Sequence, residues 1–105
     1  TIILVGVDTG AVFQCDIGIT THGLIRYPAH VSAVRGITWN PFHEKVFATC
    51  SVDWTLKIWV QKNLTPMIIL ELGRSVAGVT WAPYSSTIIV AASDEGRVHV
   101  YDLVK

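Results

Sequence analysis

Apolar and polar residues alternate with a period of two along most of this chain, and no sustained 3.6-residue pattern competes with it. The alternation comes in short runs rich in Val, Ile, Thr and aromatic residues, which suit a pleated surface. Clusters of Gly, Pro, Asn, Asp and Ser break the runs at intervals of roughly 8 to 12 residues, the rhythm of an all-β chain. The runs predict strands over Ile2 to Val5, Ala11 to Cys15, Leu24 to Tyr27, Val34 to Trp39 and Val46 to Ser51. Five more are predicted over Thr55 to Val60, Met67 to Leu72, Val76 to Trp81, Ile88 to Ser93 and Arg97 to Leu103. Val7-Asp8-Thr9-Gly10, Val52-Asp53-Trp54 and Asp94-Glu95-Gly96 are the expected tight turns, and Asn40-Pro41 and Pro83-Tyr84-Ser85-Ser86 stop the strands before them.

The pattern repeats itself. Slid by 42 residues, Val34, Gly36, Thr38, Trp39, Pro41 and Ser51 fall on Val76, Gly78, Thr80, Trp81, Pro83 and Ser93 without a gap. Ile37, Phe42, Asp53, Ile58 and Trp59 fall on the near-equivalents Val79, Tyr84, Glu95, Val100 and Tyr101. A period near 40 residues with several short strands in each copy is the signature of a β-propeller blade, a unit that cannot bury its own faces and must stack on neighbours. The expected fold class is therefore all-β: a β-propeller fragment of about two and a half blades of four-stranded antiparallel sheet. Residues 1–16 would end one blade, about 24–60 form a second and about 67–103 a third, all within the interior of a single propeller domain. Leu24 to Tyr27 and Met67 to Leu72 open the second and third of these units as outer strands.

Composition supports stacking. Half of the 105 residues are hydrophobic and only 15% are charged, against about 25% in an average domain, as expected for strands buried on both faces inside a longer chain. The opening Thr1-Ile2-Ile3-Leu4-Val5, without an initiator Met, agrees with an interior piece. Net charge is zero with histidine neutral, and no basic run exceeds two residues, which disfavours nucleic acid and an anionic membrane as partners. The longest apolar stretches, Ile2 to Val7, Met67 to Leu70 and Ile88 to Ala92, fall short of the roughly 20 residues of a spanning helix, and no segment reads as a signal peptide. Cys15 and Cys50 sit in strand runs without a close-spaced partner and are expected as buried free thiols. Asn63-Leu64-Thr65 matches a glycosylation acceptor, a pattern common by chance.

Catalytic patterns are missing from the chain. It has no His-x-x-x-His or Cys-x-x-Cys spacing for zinc, no Gly-x-Ser-x-Gly elbow and no phosphate-cradling Gly loop. Ser51, His30 and Asp53 imitate a hydrolase triad in residue type alone, which does not make a site. No catalytic residue, metal site or cofactor is expected. Trp39, Trp59 and Trp81 are core by their periodicity.

Ser51-Val52-Asp53 leading into Thr55-Leu56-Lys57-Ile58-Trp59, and Ser93-Asp94-Glu95-Gly96 leading into Arg97-Val98-His99-Val100-Tyr101-Asp102, resemble the ends of WD-repeats, and Ala29-His30 stands where that family has Gly-His. The resemblance implies a WD-repeat β-propeller with a hydrogen-bonded tetrad: His30, Thr49 or Ser51, Asp53 and Trp59. In the next copy Leu72 and Glu95 occupy the His and Asp positions, so its tetrad is expected to be lost. Val60, where Asp completes the Trp-Asp pair, is a departure of no consequence for the fold. A narrower resemblance covers nearly the whole chain. Val5-Gly6-Val7-Asp8-Thr9-Gly10, Trp39-Asn40-Pro41-Phe42-His43, Cys50-Ser51-Val52-Asp53-Trp54-Thr55 and Trp81-Ala82-Pro83-Tyr84-Ser85-Ser86-Thr87 look like dynein intermediate chains, and Thr65-Pro66-Met67 with the last run looks like the axonemal outer-arm type. It implies a non-catalytic scaffold in the cytoplasm and cytoskeleton, at the axoneme of a cilium or flagellum. The partners implied are the dynein heavy-chain tail, a second intermediate chain and, through regions outside this sequence, dynein light chains. An inner-arm intermediate chain, a WD-repeat adaptor of another assembly and a propeller-borne enzyme are the alternatives.

Most WD-repeats place Gly where Trp54 stands. A Trp in a tight turn either meets a partner at the mouth of the blade or packs sideways on a neighbouring blade. Arg35, Arg74 and Arg97 lie near turns at the same end and form either a polar rim for an acidic helix or a merely solvated surface; Phe42-His43-Glu44-Lys45 and Tyr84-Ser85-Ser86 are loop tips at the other end.

Overall fold

The structure, a computed structural model, describes residues 2–16 and 24–103. Its strands are β1 (Ile2–Gly6), β2 (Val12–Asp16), β3 (Leu24–Tyr27), β4 (Val34–Trp39), β5 (Val46–Ser51), β6 (Thr55–Val60), β7 (Ile68–Glu71), β8 (Val76–Trp81), β9 (Ile88–Ser93) and β10 (Val98–Asp102). Each falls where the alternation puts one, with ends shifted by a residue at most. Among the described residues they form three antiparallel sheets, ordered β1-β2-β3, β4-β5-β6-β7 and β8-β9-β10.

The outer strands differ from the expectation. β3 pairs with β2, Val12 opposite Tyr27, and so closes the first sheet instead of opening the second. In the same way β7 pairs with β6, Thr55 opposite Glu71, and closes the second. Residues 24–27 and 68–71 therefore belong one blade earlier than the repeat unit suggests. The reason is connectivity: a short loop returns a chain antiparallel beside the strand it has just left, and a sequence repeat has no marked phase at which a sheet must begin.

The two copies share finer features. The β4–β5 register slips between Val34 and Gly36, and the β8–β9 register slips at Val76 and Gly78. Such a bulge adds twist where β4 lies against both β8 and β1. Gly36 needs its missing side chain, since a Cβ there would sit 3.0 Å from Cys50 Sγ.

Because side chains alternate across a strand, the second sheet feeds two cores. Ala48, Cys50, Leu56 and Ile58 pack against Val76, Trp81, Ile89 and Ala91 of the third sheet. Phe47 and Trp59, on the opposite face, pack against Val12, Tyr27 and Ala29. Here the aromatic rings interlock: Tyr27 stands edge-on to Phe47 and Trp59 at 5.2 and 5.5 Å, while Phe47 and Trp59 lie parallel at 6.2 Å. The Tyr27 hydroxyl donates to Gln14 Oε1 at 2.6 Å and accepts from the Lys62 N–H at 2.9 Å. A sheet buried on both faces accounts for the low charge. Trp59 and Trp81 are core as expected, but Trp39 is only half-buried: it meets Phe47 edge-on at 5.6 Å, and a cleft bounded by Ile2, Glu44, Lys45 and Gln61 opens beside it.

Candidate functional site

A polar network joins the first and second sheets. The loop after β3 delivers His30 under the β5–β6 turn, held by its own N–H donating to Gly10 O at 2.9 Å. His30 Nδ1 lies 3.0 Å from Asp53 Oδ2, and His30 Nε2 lies 2.8 Å from Thr49 Oγ1. Trp59 Nε1–H donates to that same Thr49 oxygen at 3.0 Å. Asp53 also accepts the N–H groups of Val31 at 3.1 Å and Thr55 at 3.0 Å, together with the Thr55 hydroxyl. Lys57 Nζ donates to Ala29 O at 2.6 Å and closes the loop from the side. Of the two hydroxyls left open by the sequence, Thr49 is the one bonded to His30 and Trp59. Ser51 lies one pleat away, donates to the carbonyls of Ser32 and Ala33 and accepts the Asp53 N–H at 3.1 Å.

Burial lowers the pKa of His30 below the ordinary histidine value, against the opposing pull of Asp53. At neutral pH the contact is thus a hydrogen bond from a neutral imidazole, Nδ1–H to Asp53, leaving Nε2 to accept the Thr49 hydroxyl. Burial alone would raise Asp53, but the Thr55 hydroxyl and the Val31 N–H bring it below the usual carboxylate range. An acid, an imidazole and a hydroxyl in line would suit nucleophilic catalysis, yet Thr49 and the His30 side chain are 0% exposed, so no substrate can reach them. What the arrangement does is lock one loop to two strands.

This predicts an acid-sensitive lock. A histidine with lowered folded pKa takes up its proton in the unfolded chain first, so stability present above 6.5 declines as pH falls below that value. Asp53 adds a further loss below 3.8, again because its folded pKa is the lower one. Urea unfolding midpoints of the full-length protein should fall between pH 7.5 and 5.5, and less so in His30→Gln. An equal fall in the variant would contradict this.

The third sheet has no such network among the described residues. At the positions of His30, Thr49, Asp53 and Trp59 it carries Leu72, Ala91, Glu95 and Tyr101, and Glu95 turns outward to pair with Arg74.

The tight turns tell a second story. Gly10, Trp54 and Gly96 occupy the same place in the corresponding turns of three successive sheets, and all have left-handed backbones, with φ of 99°, 76° and 85°. The Trp54 carbonyl accepts the Leu72 N–H at 2.9 Å, as Gly10 does for His30. Trp54 bears the steric penalty of an L-residue in this region, about 1–2 kcal/mol, and is still 51% exposed. Exposed Val31 flanks it across Asp53. Arg35 reaches Asp94 Oδ1 at 3.8 Å, while Arg97 is exposed. Both cysteines are free, and burial pushes the Cys50 thiol up to about 12. At the opposite end Phe42 and Tyr84 are exposed.

Sequence reasoning missed Thr55, Lys57 and Asn40. Asp53-x-Thr55 and Asn40-Pro41 are both side-chain turn signals. Asn40 Oδ1 accepts the N–H groups of Phe42 and His43 at 2.8 and 3.0 Å, and its amide donates to Ser86 O of the third sheet's turn at 2.9 Å.

Comparison with known proteins agrees with this geometry. Residues 22–60 match the family model described as WD domain, G-beta repeat. The chain is 43% identical over 101 residues to "Dynein intermediate chain 2, ciliary" of Heliocidaris crassispina, covering 95% of this chain and 14% of that protein. It is 45% identical over 100 residues to "Dynein axonemal intermediate chain 1" of Bos taurus, again covering 95% of this chain and 14% of the relative. The chain thus spans about 14% of the length of these relatives. The β-propeller domain of a Myceliophteria thermophila protein superposes with a TM-score of 0.87 at 14% identity, over 99% of this chain and 33% of that one, a likeness of fold alone. Repeat, sheets, turn network and kinship together place the chain in the WD-repeat β-propeller family, among the dynein intermediate chains.

Proposed function

We propose that this chain serves in a non-catalytic scaffold subunit of an axonemal dynein of the outer-arm type. In this reading its propeller grips the heavy-chain tail beside a second intermediate chain at the axoneme of a cilium or flagellum. The observation that carries the reading is the 43–45% identity, over 95% of this chain, to intermediate chains named ciliary and axonemal. A rigid stack of sheets that presents loops at its ends suits a subunit that must hold its shape under load.

Trp54 is the proposed contact. A large aromatic held exposed in a strained turn is the kind of outlier from which a binding role is inferred. Trp54→Gly separates binding from folding, because glycine accepts this backbone without penalty. In cilia expressing the full-length variant, the unfolding midpoint should hold or rise while heavy-chain co-purification drops severalfold. Undiminished heavy-chain recovery would sink the assignment.

A further inference from the structure

The second and third sheets differ most where the polar network should recur. In the second sheet the space beside the β5–β6 turn is filled by His30, Asp53, Thr55 and Lys57, bonded to one another and to the loop. Forty-two residues on, these positions hold Leu72, Glu95, Arg97 and His99. With Gly73 and Arg74 they line an open cleft of about 340 Å3. The cleft follows from the replacements: Leu72 offers no hydrogen bond, Ala91 brings no hydroxyl where Thr49 does, and Gly73 contributes no side chain. Nearby, the buried Ser93 hydroxyl has no hydrogen-bond partner among the described residues, whereas its counterpart Ser51 binds two carbonyls and an N–H. The polar end of the third sheet is therefore incomplete as it stands.

The charges around the cleft are specific. Arg74 is tied to Glu95 in a pair whose side chains are 62% and 41% exposed, an arrangement that contributes little and exchanges partners readily. Among the described residues Arg97 has no ion-pair partner, and His99 stacks on Tyr101 at 6.3 Å and 8°. Two guanidiniums against one carboxylate leave a surplus of one positive charge with His99 neutral.

We propose that this cleft receives a carboxylate side chain from an acidic segment of a partner polypeptide. A free guanidinium binds a carboxylate through two parallel N–H bonds, and His99 supplies a further donor at the wall. The single surplus charge matches one carboxylate, while Glu95 at the rim disfavours a phosphate dianion. The volume sits at the lower end of the roughly 300–1,000 Å3 typical of ligand sites, enough for a side chain and its immediate backbone. This assignment stands on the cleft itself and holds whichever assembly the protein joins.

The test is fluorescence anisotropy of a labelled hexaglutamate peptide titrated into the full-length protein at low salt. Arg97→Gln should weaken binding about tenfold, Arg97→Lys should restore part of it, and Arg26→Gln, also exposed but on β3 of the first sheet, should leave it unchanged. Equal weakening by Arg26→Gln and Arg97→Gln would mean diffuse attraction and overturn the proposal. So would displacement of the peptide by inorganic phosphate at lower concentration than by acetate at matched ionic strength. Thermal unfolding of Arg97→Gln identical to wild type confirms that a loss of binding is not a loss of fold.

Discussion

Trp59→Ala should destabilise the protein by about 3–5 kcal/mol, the cost of removing a buried aromatic from a close-packed site. Trp59 is fully buried between sheets, parallel to Phe47 and edge-on to Tyr27, so its loss opens a cavity in the aromatic cluster that, together with the Tyr27–Phe47 contact, holds the first sheet to the second. It also removes the N–H that Thr49 accepts, leaving a buried hydroxyl short of a partner. Trp59→Phe separates the two effects. It keeps most of the ring and loses the bond, and it should cost about 1–2 kcal/mol. Urea unfolding of the full-length variants reads both numbers. A cost below about 1 kcal/mol for the alanine variant would show that the aromatic cluster does not join the sheets.

Gly10→Ala should be nearly as damaging, though it adds only a methyl group. A Cβ at Gly10 would lie 2.0 Å from the His30 carbonyl oxygen and 2.6 Å from its carbon, and the backbone there has φ of 99°. The obstacle is main chain, which cannot rotate aside. The left-handed penalty of about 1–2 kcal/mol adds to an overpacking cost of about 1–3 kcal/mol. Gly73→Ala is the matched control: its φ is 77° but nothing lies within 4 Å of the added carbon, so only the conformational part should appear. Equal losses in the two variants, measured by thermal unfolding, would refute the close approach of the Gly10 turn to His30. A larger loss for Gly10→Ala should come with weakening of the His30 network, because His30 N–H is anchored on Gly10 O.

Much of this was legible beforehand because its causes are local. Strand positions follow from alternation, and the match of Gly36 with Gly78 follows from the 42-residue repeat, whereas the β-bulges beside those glycines appear only in the structure. His30, Asp53 and Trp59 could be named together because the chain resembles WD-repeats, whose tetrad these positions match, and the chemistry agrees, since a buried carboxylate demands donors. The choice between Thr49 and Ser51 could not be made, since both lie on one face of β5 and are fully buried. The reach of the His30 ring, one pleat along the strand, decides between them. The half-burial of Trp39 was hidden for a similar reason: period two tells which way a side chain points, not what stands opposite.

By itself, then, the sequence determined the strands and the repeat, properties of positions near one another or separated by a constant shift, and its resemblance to WD-repeats supplied the residue types of the polar network and its loss in the next copy. Only the tertiary structure decided that each outer strand closes the preceding sheet, that Thr49 is the shared hydroxyl, that Trp54 carries a glycine's backbone, and that the emptied network site opens as a cleft lined by Arg97, which has no ion-pair partner among the described residues. Those outcomes depend on contacts between sheets, and their energies arise only once chain segments distant in sequence are brought within a few ångströms of one another.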